Sequence, residues 1–428
     1  METAVVKDEQ STHSQNQKSN PTNAILKIRG AIGKLYESVL GKNSALFKRA
    51  VNNYQKILSK RKFKTPFGVN LFGYMSAELG IGEGARANAR ALMSAGIPFS
   101  TVNVSHQPLS RQNDLSLANL PSTAPIYRFN LFHMNADMLP DLCSRKRKLC
   151  LSNKYNIGYW VWELNDFPDT LSESFNLCGE IWTPSNFALK SISEKSTIPT
   201  FCMPHPIKVD PIKKVNRSYF QIKDEIFMFL FIFDFLSYFE RKNPLDLIKA
   251  FKTAFDNNPE IQLVIKCINS NHDKQSLEIM KNATKDTQNI KIIDEYLNRD
   301  ELNALMFHCD TYVSLHRSEG FGLTMAEAMY LGKPVIATAY SGNTDFMNHN
   351  NSFPVNYRLT EIKNDTGPYK KGGTWAQPDI DHAARLMRHV YRNPKEAKLA
   401  GEEASRHIQT SLSYEAVGIM IRNRLECL

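Results

Sequence analysis

From Phe67 onward the chain alternates short apolar runs with helical stretches, and the alternation passes through two successive cycles. The first cycle places strands at residues 68–72, 99–104, 126–132, 157–161, 181–183 and 201–203, with a helix at 83–95 after a glycine-rich turn. The second places strands at 226–233, 262–267, 290–293, 311–315 and 334–337, with helices at 244–255, 299–308 and 323–331. Strands interleaved with helices predict parallel sheets covered on both faces. The expectation is an α/β chain of two Rossmann-like, doubly wound domains, 65–205 and 206–400, facing a cleft. A C-terminal helix at 401–428 is expected to pack back on the N-terminal domain. Ligands in such folds sit beyond the carboxyl ends of the strands.

A length of 428 residues suits two such domains, and 42% hydrophobic with 22% charged residues allows ordinary globular cores. The net charge of +10 raises nucleic acid or an acidic membrane as a partner. Between Ala24 and Lys64, however, stand eleven Lys or Arg residues and one acid, Glu37. That segment carries the whole excess and leaves the globular body near neutral, so no nucleic-acid partner is expected. Residues 1–23, rich in Ser, Asn, Gln and Thr, predict a disordered tail. Residues 24–64 space apolar side chains helically, at Ile28, Ile32, Leu35 and Val39, then Phe47, Val51, Tyr54 and Leu58. They read as a basic amphipathic arm for an anionic membrane surface, or as solvated helices or a linker. No run reaches the length of about twenty apolar residues that spans a bilayer, and Met1 to Asn23 shows no secretory pattern. Seven cysteines, odd in number and without CxxC spacing, support neither a disulfide framework nor a zinc site. A cytoplasmic location is expected, with the arm able to hold the protein peripherally on the inner face of a membrane.

The segment that carries most chemistry is EGFGLTMAEAM, Glu319 to Met329. A strand, a loop with two glycines and a helix start offer free N–H groups and close approach, an anion site suited to a diphosphate. If both face the cleft, Glu319 and Glu327 stand roughly 10 Å apart, from the rise per helical residue. Glycosidase carboxyl pairs stand about 5–9.5 Å apart. The wider spacing suits two ends of an elongated ligand; the plainer alternative is a pair of acids favoured by the helix dipole. A second constellation, Ser237 to Pro244, contains Arg241 and Lys242 ahead of a Pro-initiated helix. These could hold phosphate as a fork and a point charge, or lie on a solvated face.

The E-x7-E motif, followed by Gly332-Lys333-Pro334-Val335-Ile336-Ala337-Thr338, resembles the GT4 family of retaining glycosyltransferases, which have the GT-B fold. The resemblance implies that Glu319 approaches a donor sugar and that Glu327 binds the nucleotide ribose. Gly320, Phe321, Gly322 and Leu323 would contribute backbone amides, and Arg241 and Lys242 would meet the donor diphosphate. The chain departs from the family pattern here, since Ser237 stands nearer the usual Arg position and Asn243 replaces a Gly. The loop Glu78 to Arg86 resembles the first-strand loop of the family, which implies cleft roles for Gly82 and Arg86. His133, at a strand end before Asn135, resembles the histidine that meets the donor sugar. Trp160, Trp162 and Glu163, with Gly367-Pro368-Tyr369 and residues 375–379, resemble a bacterial surface-polysaccharide subgroup. They imply an acceptor side at Arg86, Asn135, Trp160, Trp162 and Glu163, with core packing the alternative for the aromatic residues. No DxD motif is present and Asp294-Glu295 is a poor substitute, so no metal is expected. Beyond the donor itself no cofactor is expected. The implied reaction moves a hexose from a nucleotide diphosphate sugar, with GDP-mannose favoured and a UDP-sugar next, to a glycan or lipid-linked acceptor. The rival readings are a GT-B epimerase or hydrolase, a binding module for acidic membrane or nucleic acid, and a silent scaffold.

Overall fold

A computed structural model describes residues 52–56, 65–105, 110–118, 120, 124–210 and 215–428. The expected tail at 1–23 and most of the arm at 24–64 lie outside the described residues. The arm enters only as a helical turn at 52–56, where buried Tyr54 accepts a hydrogen bond from the Asn156 amide at 2.8 Å.

Two six-stranded parallel sheets form the body. The first contains β1 (Val69–Gly73), β2 (Phe99–Asn103), β3 (Phe129–His133), β4 (Tyr155–Tyr159), β5 (Glu180–Thr183) and β6 (Thr200–Cys202), in the order β2-β1-β3-β4-β5-β6. The second contains β7 (Phe227–Asp234), β8 (Ile261–Ile268), β9 (Ile290–Asp294), β10 (Thr311–Ser314), β11 (Val335–Thr338) and β12 (Phe353–Val355), in the order β12-β11-β10-β7-β8-β9. In each, the order reverses beside the first strand, which opens a crevice at the carboxyl ends.

The near-continuous apolar run of β7 follows from burial on both faces. Phe229, Phe231 and Phe233 pack with helices Pro244–Phe255 and Ile380–Arg392, while Met228 and Leu230 face helices Leu323–Tyr330 and Pro394–Ser411. The first sheet adds a polar device. Asn70 donates to Asn130 at 2.8 Å, and Asn130 donates to Asn156 at 2.9 Å, across three neighbouring strands. A slip of one residue would break this buried ladder, so it reinforces register.

Most expected strands fall within one to three residues of the observed ones, and helices Pro244–Phe255 and Arg299–His308 match as read. The end of the chain differs. Residues 401–428 are not one helix: Pro394–Ser411 stays on the second domain, the chain breaks at Leu412, and Tyr414–Glu426 crosses to the first. There Gly418 meets helix Gly80–Ser94 so closely that an added Cβ would fall 2.5 Å from the Ala91 carbonyl. Val417, Ile421 and Leu425 join the core of the first sheet. Arg424 reaches the fully buried Glu180 with Nη2 at 2.6 Å. The antiparallel pair β13 (Tyr357–Glu361) and β14 (Thr374–Pro378) was not expected. Among the described residues no helix is long and apolar enough to cross a membrane.

Candidate functional site

The two domains meet where the glycine loop after β10 touches the segment after β4. Gly320 is required by that contact, since an added Cβ would sit 2.3 Å from the Val161 side chain. Ser185 donates to the Gly320 carbonyl at 2.6 Å, and Ser318 donates to the Glu163 carbonyl. Gly322 takes φ +99 and begins helix Leu323–Tyr330, a conformation that favours glycine. The Phe321 ring turns into the core, edge-on to His205 at 5.1 Å, so only its backbone remains for a ligand.

Glu319 is the centre of the charge arrangement. Lys242 pairs with its Oε1, and Arg241 Nη1 lies 3.1 Å from its Oε2. Burial alone would raise this carboxyl, but Lys242 and Arg241 outweigh it and hold the group down to about 2. The short helix Phe239–Lys242 carries both cations and ends at Asn243, which adopts left-handed φ 56. The residue replacing the family's usual glycine thus takes a glycine-like conformation, which Asn tolerates. Arg241 is only 4% exposed and also donates to the carbonyls of Ser237 and Ser318, at 3.2 and 2.7 Å. Ser237 therefore acts on Arg241 through its backbone. Lys242 is 16% exposed and is the more open of the two.

Glu327 faces a separate small cavity lined by Glu83, Ala87, Lys208, Leu323 and Tyr414 among others. Its carboxyl is raised by burial even though Arg299 pairs with it. Arg299 was not anticipated from the sequence. Its position one residue after the helix cap Asn298 gave no signal that it would reach another element.

On the opposite wall stands His133 at the end of β3, fully buried and stacked on Tyr159 at 4.3 Å. Among the described residues both of its ring nitrogens lack a hydrogen-bond partner. Burial, then neighbouring His205, pushes its pKa well down, so the ring is neutral. Gly84 lets the first helix approach: an added Cβ would lie 2.6 Å from His205 and 2.9 Å from His133. His205, also missed in the sequence, donates to or accepts from Tyr159 at 3.2 Å. Gly82 is fixed by its own turn, where a Cβ would meet the Ala77 carbonyl at 2.6 Å.

Three of the expected acceptor-side residues, Arg86, Trp160 and Trp162, are buried. Arg86 is 3% exposed and spent on the Met75 and Ala77 carbonyls, Glu83 and Asp114. It braces the loop, with Nε, Nη1 and Nη2 all engaged. Trp160 and Trp162 are 1% and 5% exposed and belong to an aromatic core with Phe167 and Phe175. Neither presents a face on which a sugar could stack. Asn135 uses its side-chain oxygen to hold the Val161 amide at 2.9 Å, which positions the wall that meets Gly320. Glu163 does sit beside the charge cluster. Burial raises its carboxyl against the pull of Arg241.

Residues 229–407 match the family model for glycosyl transferases group 1. Trehalose synthase from Pyrococcus horikoshii is 26% identical over 152 residues, which covers 32% of this chain and 36% of that protein. Trehalose synthase from Thermococcus litoralis is 26% identical over 106 residues, covering 24% and 26%. The chain thus spans about a third or less of these relatives' length. Among solved structures, Anabaena HepE in complex with UDP and glucose superposes with TM-score 0.61 at 13% identity, over 85% of this chain and 100% of that one. Sucrose-phosphate synthase from Thermosynechococcus elongatus gives 0.63 at 14%, over 84% and 98%. At such identity the likeness is one of fold, and the fold is GT-B. The second domain carries the group 1 glycosyltransferase sequence pattern.

Proposed function

We propose that the chain is a retaining, metal-independent glycosyltransferase of the GT4 type, moving a hexose from a nucleotide diphosphate sugar to a glycan or lipid-linked acceptor. The observation that carries this reading is the Arg241–Lys242–Glu319 cluster at the glycine loop, held against the opposite domain. In it, Lys242 and the amides from Gly320 to Leu323 stabilise the charge on the departing diphosphate, the electrostatic contribution that usually dominates such steps. Arg241, already satisfied by three oxygens, holds the cluster together. Glu319 stays ionised toward the donor sugar, and Glu327 receives the ribose hydroxyls. Neutral His133, with two unpartnered nitrogens, supplies a hydrogen bond from the other wall. Retention follows from the family resemblance.

The surface-polysaccharide resemblance favours GDP-mannose, while the UDP complex of the HepE neighbour brings uridine nucleotides into the same test. Thermal shift of the wild type and Glu327→Ala with GDP, UDP, ADP and their sugars identifies the donor. A stabilisation that saturates and disappears in the variant supports the ribose role. Transfer of labelled sugar in the presence of EDTA tests metal independence. Absence of binding and turnover with every nucleotide sugar overturns the reading, and an isomerised free sugar would favour the epimerase. Sedimentation with anionic vesicles, with and without residues 1–64, tests peripheral attachment through the arm.

A further inference from the structure

The loop from β9 into helix Arg299–His308 makes two charged contacts across the domain boundary. Tyr296 lies under the Arg111 guanidinium, 4.4 Å from its carbon, and Arg111 is itself paired with Glu78. Three residues on, Arg299 Nη2 pairs with Glu327 of its own domain and stands 3.9 Å from Oε1 of Glu83 on the other. One guanidinium therefore lies between two carboxylates from opposite sides of the cleft. Glu83 also has Arg86 at 2.9 Å and Arg90 at 3.8 Å, whereas Glu327 is paired with Arg299 alone among the described residues.

We propose that Arg299 is a two-position residue: a nucleotide that takes Glu327 hands Arg299 over to Glu83, fastening the domains around the donor. This rests on the ribose role of Glu327 given above. A ligand that hydrogen-bonds Glu327 must compete with Arg299 for that carboxylate, because an ionised carboxyl has a limited set of acceptor positions. The displaced guanidinium keeps its charge and has the Glu83 oxygen as its nearest remaining anion. Closure is then driven by the difference in Arg299 pairing between empty and occupied cleft, as any ligand-driven shift requires. Arg299 acts through the two acids and is a positioning residue.

The test combines nucleotide affinity with hydrogen exchange, using whichever of GDP or UDP shifts the wild-type melting point. In the Glu83→Gln background, where the clasp is already absent, adding Arg299→Gln removes only the competitor and is expected to tighten nucleotide binding about fivefold. The gain vanishes when Glu327→Gln is added, as coupling between the two side chains demands. In the wild type the nucleotide protects residues 80–86 and 295–299 from exchange. Glu83→Gln binds nucleotide but loses that protection by on the order of tenfold. Arg299→Gln loses the protection as well while Arg299→Lys keeps it, a split that a mere folding defect would not produce. Unchanged or weaker binding on adding Arg299→Gln to Glu83→Gln, or full protection in Glu83→Gln, overturns the proposal. If the wild type binds no nucleotide, the donor-site reading itself falls, an outcome distinct from a bound nucleotide without the exchange pattern.

Discussion

The two domains share a sheet architecture and use their charges differently. In the first domain the buried ionic and polar groups are structural: Glu180 with Arg424, Arg86 with Glu83 and Asp114, and the Asn70–Asn130–Asn156 ladder. Its wall of the cleft sets neutral rings, His133, Tyr159 and His205, beside two acids, Glu83 and Glu163. In the second domain buried Arg241 and Glu327 and half-buried Lys242 and Glu319 gather at the carboxyl ends of the strands, on the cleft. The cations that hold Glu319 thus belong to the second domain, while the first faces that cluster with neutral rings and acids. Such a division suits a reaction in which charge develops on the leaving group, held by one domain, while the other shapes the space around the sugar.

Substitutions in the two halves should therefore damage different properties. Lys242→Ala is expected to lower kcat about 10²–10³-fold, as loss of one preorganised electrostatic group does, with a modest change in melting point. Arg424→Ala does the reverse. Glu180 would lose its cation while keeping Trp182 as a donor at 2.6 Å, so unfolding free energy falls by about 2–3 kcal/mol with nucleotide affinity unchanged. Denaturant melts and nucleotide titrations of both variants check this; a stability loss in Lys242→Ala matching that of Arg424→Ala would erase the contrast. Gly320→Ala places a methyl group against Val161 and is expected to lower turnover about tenfold by misaligning the walls, with nucleotide binding retained.

The smallest effect concerns pH. Glu319 is depressed to about 2 in the folded protein, below the unfolded carboxyl near about 4.3. Its contribution to stability is thus fully present above the unfolded value and is lost as pH falls toward the folded one. Melting curves of the wild type and Glu319→Gln should differ by a constant amount from pH 9 to 5, and the gap should narrow below pH 4.

Much of this was legible in the sequence because it was local. Helix Arg299–His308 announces itself by the capping box of Asn298 and Glu301, and Pro244–Phe255 by its proline start. The glycine loop and Glu319 stand in a contiguous motif that joins strand to helix. What escaped was set by the meeting of distant segments. Arg299, Glu83 and His205 acquire their places only when two domains close on one another, and no spacing reports that. The indoles of Trp160 and Trp162 left two readings open, since aromatic density in a sequence is the same for a stacking platform and a core, and both are buried. Strand β13 has residues such as Leu359 in solvent, so it lacks the burial pattern by which strands are recognised.

The chain passes between the domains twice, once on leaving β6 and again at Leu412, and at that place the Ile207 amide donates to the Leu412 carbonyl at 2.6 Å. Two tethers bound side by side restrict relative travel more than a single thread would. They favour swinging about a common axis, like a book on its spine, over sliding or corkscrew displacement. Any opening between the domains would then retrace one path and bring the carboxyl ends of the two sheets back to the same alignment.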